Sequence, residues 1–181
     1  MKKIKFLLVG LSVVLASSTF AQQTPARRGL SISIGPEAAF PVGTFRDAYK
    51  VGLGGSAKLN IPVADYIDLS ISAGYIGFSQ KSKLDSIAIN KNSYSFIPFK
   101  AGVRFRTKGG FYVEPQAGYT QTKLSNFEGA GEFTYAGNVG YLIHRAIDIA
   151  VRYEAVATKG ESSKFIGLRL AYNIPFARVR G

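Results

Sequence analysis

From residue 30 onward, large apolar side chains alternate with small or polar ones almost residue by residue. A period of two admits only strands with two unlike faces. Leu30, Ile32 and Ile34 alternate with Ser31, Ser33 and Gly35. Val51, Leu53, Ala57, Leu59 and Ile61 alternate with Gly52, Gly54, Ser56, Lys58 and Asn60. The pattern recurs over Ile67–Tyr75, Ile97–Phe105, Phe111–Tyr119, Phe133–Ile143, Ile147–Ala155 and Ile166–Phe176, which makes eight predicted strands. No segment has a convincing helical period.

The links between strands alternate in kind. Pro62–Asp65, Thr107–Gly110 and His144–Ala146 are short and carry hairpin-turn chemistry, whereas Pro41–Lys50, Ser79–Ser93, Gln121–Glu132 and Ala157–Lys164 are longer and more polar. An even strand number, with tight turns at one end and long loops at the other, describes an all-β fold: a closed antiparallel up-and-down barrel.

A barrel in water would turn its polar face outward and populate it with long charged side chains. Here that face is mostly Gly, Ser, Ala and Asn with one or two charges per strand, and only 19% of the chain is charged. Small residues suit the cramped interior of an eight-stranded barrel, which side chains can just fill. The bulky apolar set therefore belongs outside, where so large a belt is stable only against acyl chains. Strands of about ten residues, rising ~3.3 Å each and tilted ~40°, give a band of roughly 25 Å, the height of such a belt. Phe40, Tyr75, Phe105, Phe111, Tyr119, Phe133, Tyr141, Tyr172 and Phe176 fall near strand ends, as interfacial girdles would.

The first 21 residues are read as a signal peptide: Lys2, Lys3 and Lys5 precede the apolar stretch Phe6–Leu15 and a small-residue exit at Ala16–Ala21. That apolar stretch is too short to cross a ~30 Å hydrocarbon layer as a helix. The expected division is thus signal peptide over 1–21 and barrel domain over 22–181. The net charge of +12 would ordinarily suggest nucleic acid, but an exported chain meets anionic headgroups instead, so no nucleic-acid partner is expected. Absence of Cys excludes a disulfide scaffold, a thiolate metal site and a Cys-linked lipid anchor. The lone His144 excludes any mechanism needing two imidazoles.

Gly35-Pro-Glu-Ala-Ala-Phe-Pro-Val-Gly43, Tyr49-Lys-Val-Gly-Leu-Gly-Gly-Ser56, Ser72-Ala-Gly-Tyr75 and the final strand Gly167-Leu-Arg-Leu-Ala-Tyr172 carry a family likeness. The chain resembles the small bacterial outer-membrane β-barrels, the eight-stranded OmpA/OmpX-like barrels and their PorT-type relatives, over essentially its whole length past the signal peptide. The resemblance implies an outer-membrane location with both mature termini periplasmic. It also implies contact with the barrel-assembly machinery, which reads a terminal aromatic. Phe176 fills that role, with Ala177–Gly181 as a basic tail.

The inward register carries Glu37, Asp68, Glu114, Asp148 and Glu154 against Lys58, Lys100, Arg104, Arg106, Arg152 and Arg169. Five carboxylates against six cations lack the single-sign excess of a selective pore. Hairpin parity places Lys58 opposite Asp68, Arg104 opposite Glu114 and Asn138 opposite Arg152. The expected site is a lumenal ion-pair network of Glu37, Lys58, Asp68, Lys100, Arg104, Glu114, Arg152, Glu154 and Arg169 that plugs the barrel.

Function then divides three ways. A non-catalytic barrel, acting through its loops or through membrane integrity, fits best. A narrow pore is the alternative that the balanced interior disfavours. A lipid-modifying barrel enzyme would need a nucleophile with an adjacent base, and His144 falls in a short periplasmic turn without a second His. Gly52-Leu-Gly-Gly-Ser56 resembles a phosphate loop but lies mid-strand with no helix after it. No catalytic residue, cofactor or metal is expected. In the long loops Arg46, Lys50, Lys81, Lys83, Lys91, Lys123, Lys159 and Lys164 outnumber Asp47, Asp85, Glu128, Glu132 and Glu161. Outer-membrane lipids, lipopolysaccharide or phospholipid headgroups, are the expected partners there, beside an unidentified loop-binding protein or envelope assembly. Arg27, Arg28, Lys108, Arg145, Arg178 and Arg180 gather at the other end, as inner-leaflet headgroup contacts.

Overall fold

The computed structural model describes residues 29–79, 81, 93–124, 127–157 and 162–176. The signal-peptide segment, the tail after Phe176 and most of the Ser79–Ser93 link lie outside the described residues, as does part of the Ala157–Lys164 link. Eight strands follow one another: β1 Ser31–Val42, β2 Gly52–Ala64, β3 Ile67–Ser79, β4 Ser93–Arg106, β5 Phe111–Leu124, β6 Phe127–Ile143, β7 Ile147–Ala157 and β8 Ser162–Pro175. Each is antiparallel to its neighbour, and β1 closes on β8. Closure leaves no sheet edge with unpaired backbone groups.

The two faces divide as the alternation requires. Leu69, Phe99 and Val151 are 44%, 58% and 50% exposed on the outside, while their strand neighbours Ser70, Lys100 and Arg152 are buried. The nine girdle aromatics are all exposed. Phe111 meets Tyr141 edge-on at 4.7 Å near the short turns, and Tyr119 meets Phe133 at 6.2 Å toward the other end. Ala155, expected outside, is fully buried instead. In register it lies between the longer side chains Tyr135 and Lys164.

Three links differ from their sequence reading. β2 continues through Pro62 to Ala64, so the turn is Asp65–Tyr66 and not Pro62–Asp65. The register shifts between Pro62 and Ala64, where proline has no N–H for the ladder. β5 and β6 run on to Leu124 and from Phe127, absorbing the expected polar link Gln121–Glu132, again with a shift between Gln121 and Lys123. In the link after β1, a one-turn helix α1, Thr44–Ala48, stands where no helix was expected. The Thr107–Gly110 and His144–Ala146 turns fall as read. Gly110 sits at φ 95°, and His144 and Arg145 both adopt positive φ, 46° and 61°, the conformation that tight hairpins demand.

Candidate functional site

Inside the barrel the side chains form two layers. Toward the helix end lies an apolar layer the sequence reading missed: Ala39, Phe45, Ile76, Phe78, Phe96, Val156 and Phe165 are all buried, with Tyr49 and Tyr94 packed against them. Phe45 projects from α1 into this layer, 5.1 Å from Phe78 and 5.8 Å from Phe96 between ring centroids. Gly52 leaves the room: a Cβ there would stand 2.6 Å from the Phe78 ring. Burial against these rings pushes the Tyr49 hydroxyl pKa above its ordinary value. The available signal was parity. Ile76, Phe78, Phe96 and Phe165 occupy inward positions, where the polar set of the alternation should lie.

Below it the charged side chains join into one line of alternating sign. Lys58 Nζ donates to Glu114 Oε2 at 3.0 Å, and Arg104 Nε donates to the same oxygen at 2.9 Å. Arg104 Nη2 reaches Asp148 at 3.3 Å, and Arg169 Nη1 reaches that carboxylate at 3.4 Å. Arg169 Nε then meets Glu37 at 3.3 Å. Arg152 forks onto Glu37 at 3.2 and 2.8 Å, and its Nε lies 2.7 Å from Glu154, a close contact without hydrogen-bond alignment. Lys100 Nζ completes the line on Glu154.

Every carboxylate in this line stands between two cations. Every interior cation is an arginine and each end is a lysine. The chemistry explains the order. A guanidinium presents five donors in a planar fork and can serve two carboxylates, whereas an ammonium is a point charge suited to terminate a line. Neutral groups take up the remaining lone pairs. Glu114 Oε1 accepts from Ser70 and Gln116, both at 2.7 Å, and Asp148 Oδ1 accepts from the Tyr112 hydroxyl at 2.5 Å. Arg104 also lies over the Tyr112 ring, 3.9 Å from its centroid. Such saturation is what allows charges to lie this deep, since a buried ion without partners is strongly unfavourable.

The sequence profile of the outer membrane protein beta-barrel domain matches residues 6–173. The chain belongs to that family. Its setting is the bacterial outer membrane. Among solved structures it is similar to Ail, the attachment invasion locus protein of Yersinia pestis, at 16% identity and a TM-score of 0.55, covering 82% of this chain and 100% of that one. Ail in complex with the heparin analogue sucrose octasulfate matches at 18% identity and a TM-score of 0.57, with the same coverage. The N-terminal barrel domain of Pseudomonas aeruginosa OprF matches at 13% identity and a TM-score of 0.54, again over 82% and 100% of the two chains. At these identities the likeness is one of fold. No curated protein matches the chain.

In this outer-membrane barrel the nine expected lumenal residues are all buried, but they do not form one set. Asp68 stands apart from the line. Arg106 holds it through Nε and Nη2 at 2.6 and 2.8 Å, near the short turns. Asp148 takes the place Asp68 was expected to fill. The expected Lys58–Asp68 pairing fails because β2 runs on to Ala64 and the turn falls at Asp65–Tyr66, which sets Pro62 opposite Asp68 and Lys58 opposite Ser72, and Lys58 reaches across the lumen to β5 instead. Arg104 does meet Glu114, and Asn138 pairs in register with Arg152. His144 is exposed in its turn, and Gly52–Ser56 lies within β2. Among the described residues no cluster of three or more His, Cys, Asp or Glu could hold a metal ion.

Proposed function

We propose that this protein is a non-catalytic outer-membrane barrel whose lumen is closed and whose work is done at its outer rim. The observation that carries this reading is the alternating line of charges. It crosses the lumen from β2 to β5 and twice between β4 and β7, with the aromatic layer stacked above it. Water and ions would have to displace paired, desolvated charges to pass. The segment 1–21 would direct export, and the short turns and both mature termini would then face the periplasm, with the helix end outside.

Planar-bilayer recording tests closure. The reconstituted protein should give no stable step-like openings at moderate voltage. A steady conductance of porin size would overturn the closed reading in favour of the narrow pore. Enzymatic modification of outer-leaflet lipid is checked in parallel by mass spectrometry of lipid from cells expressing the protein or His144→Ala. Both samples should match cells that lack it.

A further inference from the structure

Three exposed cations lie on or beside the link that carries α1, and hydrogen bonds tie their backbone positions together. Lys81 Nζ donates to the Arg46 carbonyl at 2.6 Å, and the Lys81 amide donates to the Ala48 carbonyl at 2.8 Å. The Lys50 amide donates to the Ser79 carbonyl, also at 2.8 Å. These bonds tie the β1–β2 link to the end of β3 and bring Arg46, Lys50 and Lys81 onto one knob. Phe45 roots that knob in the aromatic layer, where it is only 7% exposed. The knob's one acid is Asp47, and among the described residues none of the three cations forms an ion pair. Three like charges held beside a single acid repel, and an anion would relieve that repulsion.

Position identifies the anion. Lys164 of β8 is exposed on the outer face, in register with Val42, just above the outward pair Phe40 and Ile166. The cationic rim therefore continues the lipid-facing wall upward to the height of the headgroups, where a lysine stem can lie along apolar surface with its ammonium in the polar layer. We infer that Arg46, Lys50, Lys81 and Lys164 form a preorganised site for the phosphorylated sugar headgroup of an outer-leaflet glycolipid. The inference rests on the helix end facing outward. Arginine supplies bidentate contacts to phosphate, and the lysines supply point charges around it.

The test titrates detergent-purified protein with a bis-phosphorylated glucosamine-disaccharide lipid and reads retained adducts by native mass spectrometry. The triple variant Arg46→Gln, Lys50→Gln, Lys164→Gln should weaken binding about tenfold, the combined effect of several exposed charge contacts. Removing the lipid's phosphates should weaken it equally. Lys108→Gln with Arg145→Gln, at the short-turn end, removes charge from the opposite rim and should leave binding unchanged. Phe45→Ala keeps every cation but unseats the knob, and should weaken binding in a barrel that still shows its folded mobility on unheated gels. Unchanged binding by the triple variant would overturn the site, and so would equal loss in the Lys108/Arg145 control. If sucrose octasulfate binds the knob but the glycolipid does not, the membrane source is wrong. None of these outcomes alters the conductance result, so this inference and the closed-barrel reading fail separately.

Discussion

Arg169 of β8 meets Glu37 of β1 across the seam that closes the barrel, at 3.3 Å, beside the one interruption in that seam's pairing. Register partners are missing at Gly35 and Pro36, where proline offers no N–H to β8. Arg169 bridges the break. Its Nη2 donates to the Ser33 carbonyl at 3.0 Å on one side, and its Nε faces Glu37 on the other. Arg169→Ala would leave Glu37 and Asp148 each with a cation fewer in a buried setting, and should destabilise the barrel by about 3–5 kcal/mol. Arg169→Lys should recover little, because a point charge cannot serve Ser33, Glu37 and Asp148 at once. Urea unfolding in lipid vesicles, followed by the loss of folded gel mobility, measures both.

Neighbours in the charged line should not behave as independent pairs. Lys58 and Arg104 both donate to Glu114 Oε2, so removing either changes what the other is worth. A double-mutant cycle of Lys58→Met and Arg104→Met should return a coupling energy of about 0.5–3 kcal/mol. Arg106→Met, whose partner Asp68 lies outside the line, should add to Lys58→Met within about 0.5 kcal/mol. A strong coupling in the second cycle would show that the two sets communicate.

Two glycines of β6 separate packing from permissiveness. A Cβ at Gly140 would stand 2.3 Å from the Tyr112 ring, whose hydroxyl binds Asp148, whereas a Cβ at Gly137 meets nothing within 4 Å. Gly140→Val should therefore destabilise by about 1–3 kcal/mol through overpacking. Gly137→Val, exposed on the outer face, should be neutral or stabilising. Unfolding midpoints of the two variants decide it, and equal effects would count against a filled interior at this level.

The strand count, the sidedness and the closed topology were legible because they depend on alternation, which each residue reports locally. Pairing inside the lumen was less so. Arg104–Glu114 and Asn138–Arg152 follow from hairpins whose turns fall where the sequence puts them, but β2 runs on past Pro62 to Ala64, which parts Lys58 from Asp68, and Lys58 reaches across the barrel to a residue 56 positions away in sequence. No local rule carries that distance. The aromatic layer was hidden for a different reason. Phe78, Phe96 and Phe165 lie just beyond the expected strands Ile67–Tyr75, Ile97–Phe105 and Ile166–Phe176, whereas they pack inside the barrel in one cluster with Phe45 of α1.

That layer yields the last prediction. Phe96 is 1% exposed, stacked on Phe45 and Phe165 and edge-on to Phe78. Phe96→Ala removes the ring all three share and should cost about 3–5 kcal/mol, whereas Phe99→Ala, three residues on and facing lipid, loses only surface contact. The two truncations delete the same atoms from one strand, so their difference isolates interior packing from membrane contact. Solvent access to the charged line beneath should rise with Phe96→Ala alone, read as faster amide exchange at Ser72, Lys100 and Gln116. If Phe99→Ala cost as much as Phe96→Ala, the belt rather than the interior layer would govern stability at this height.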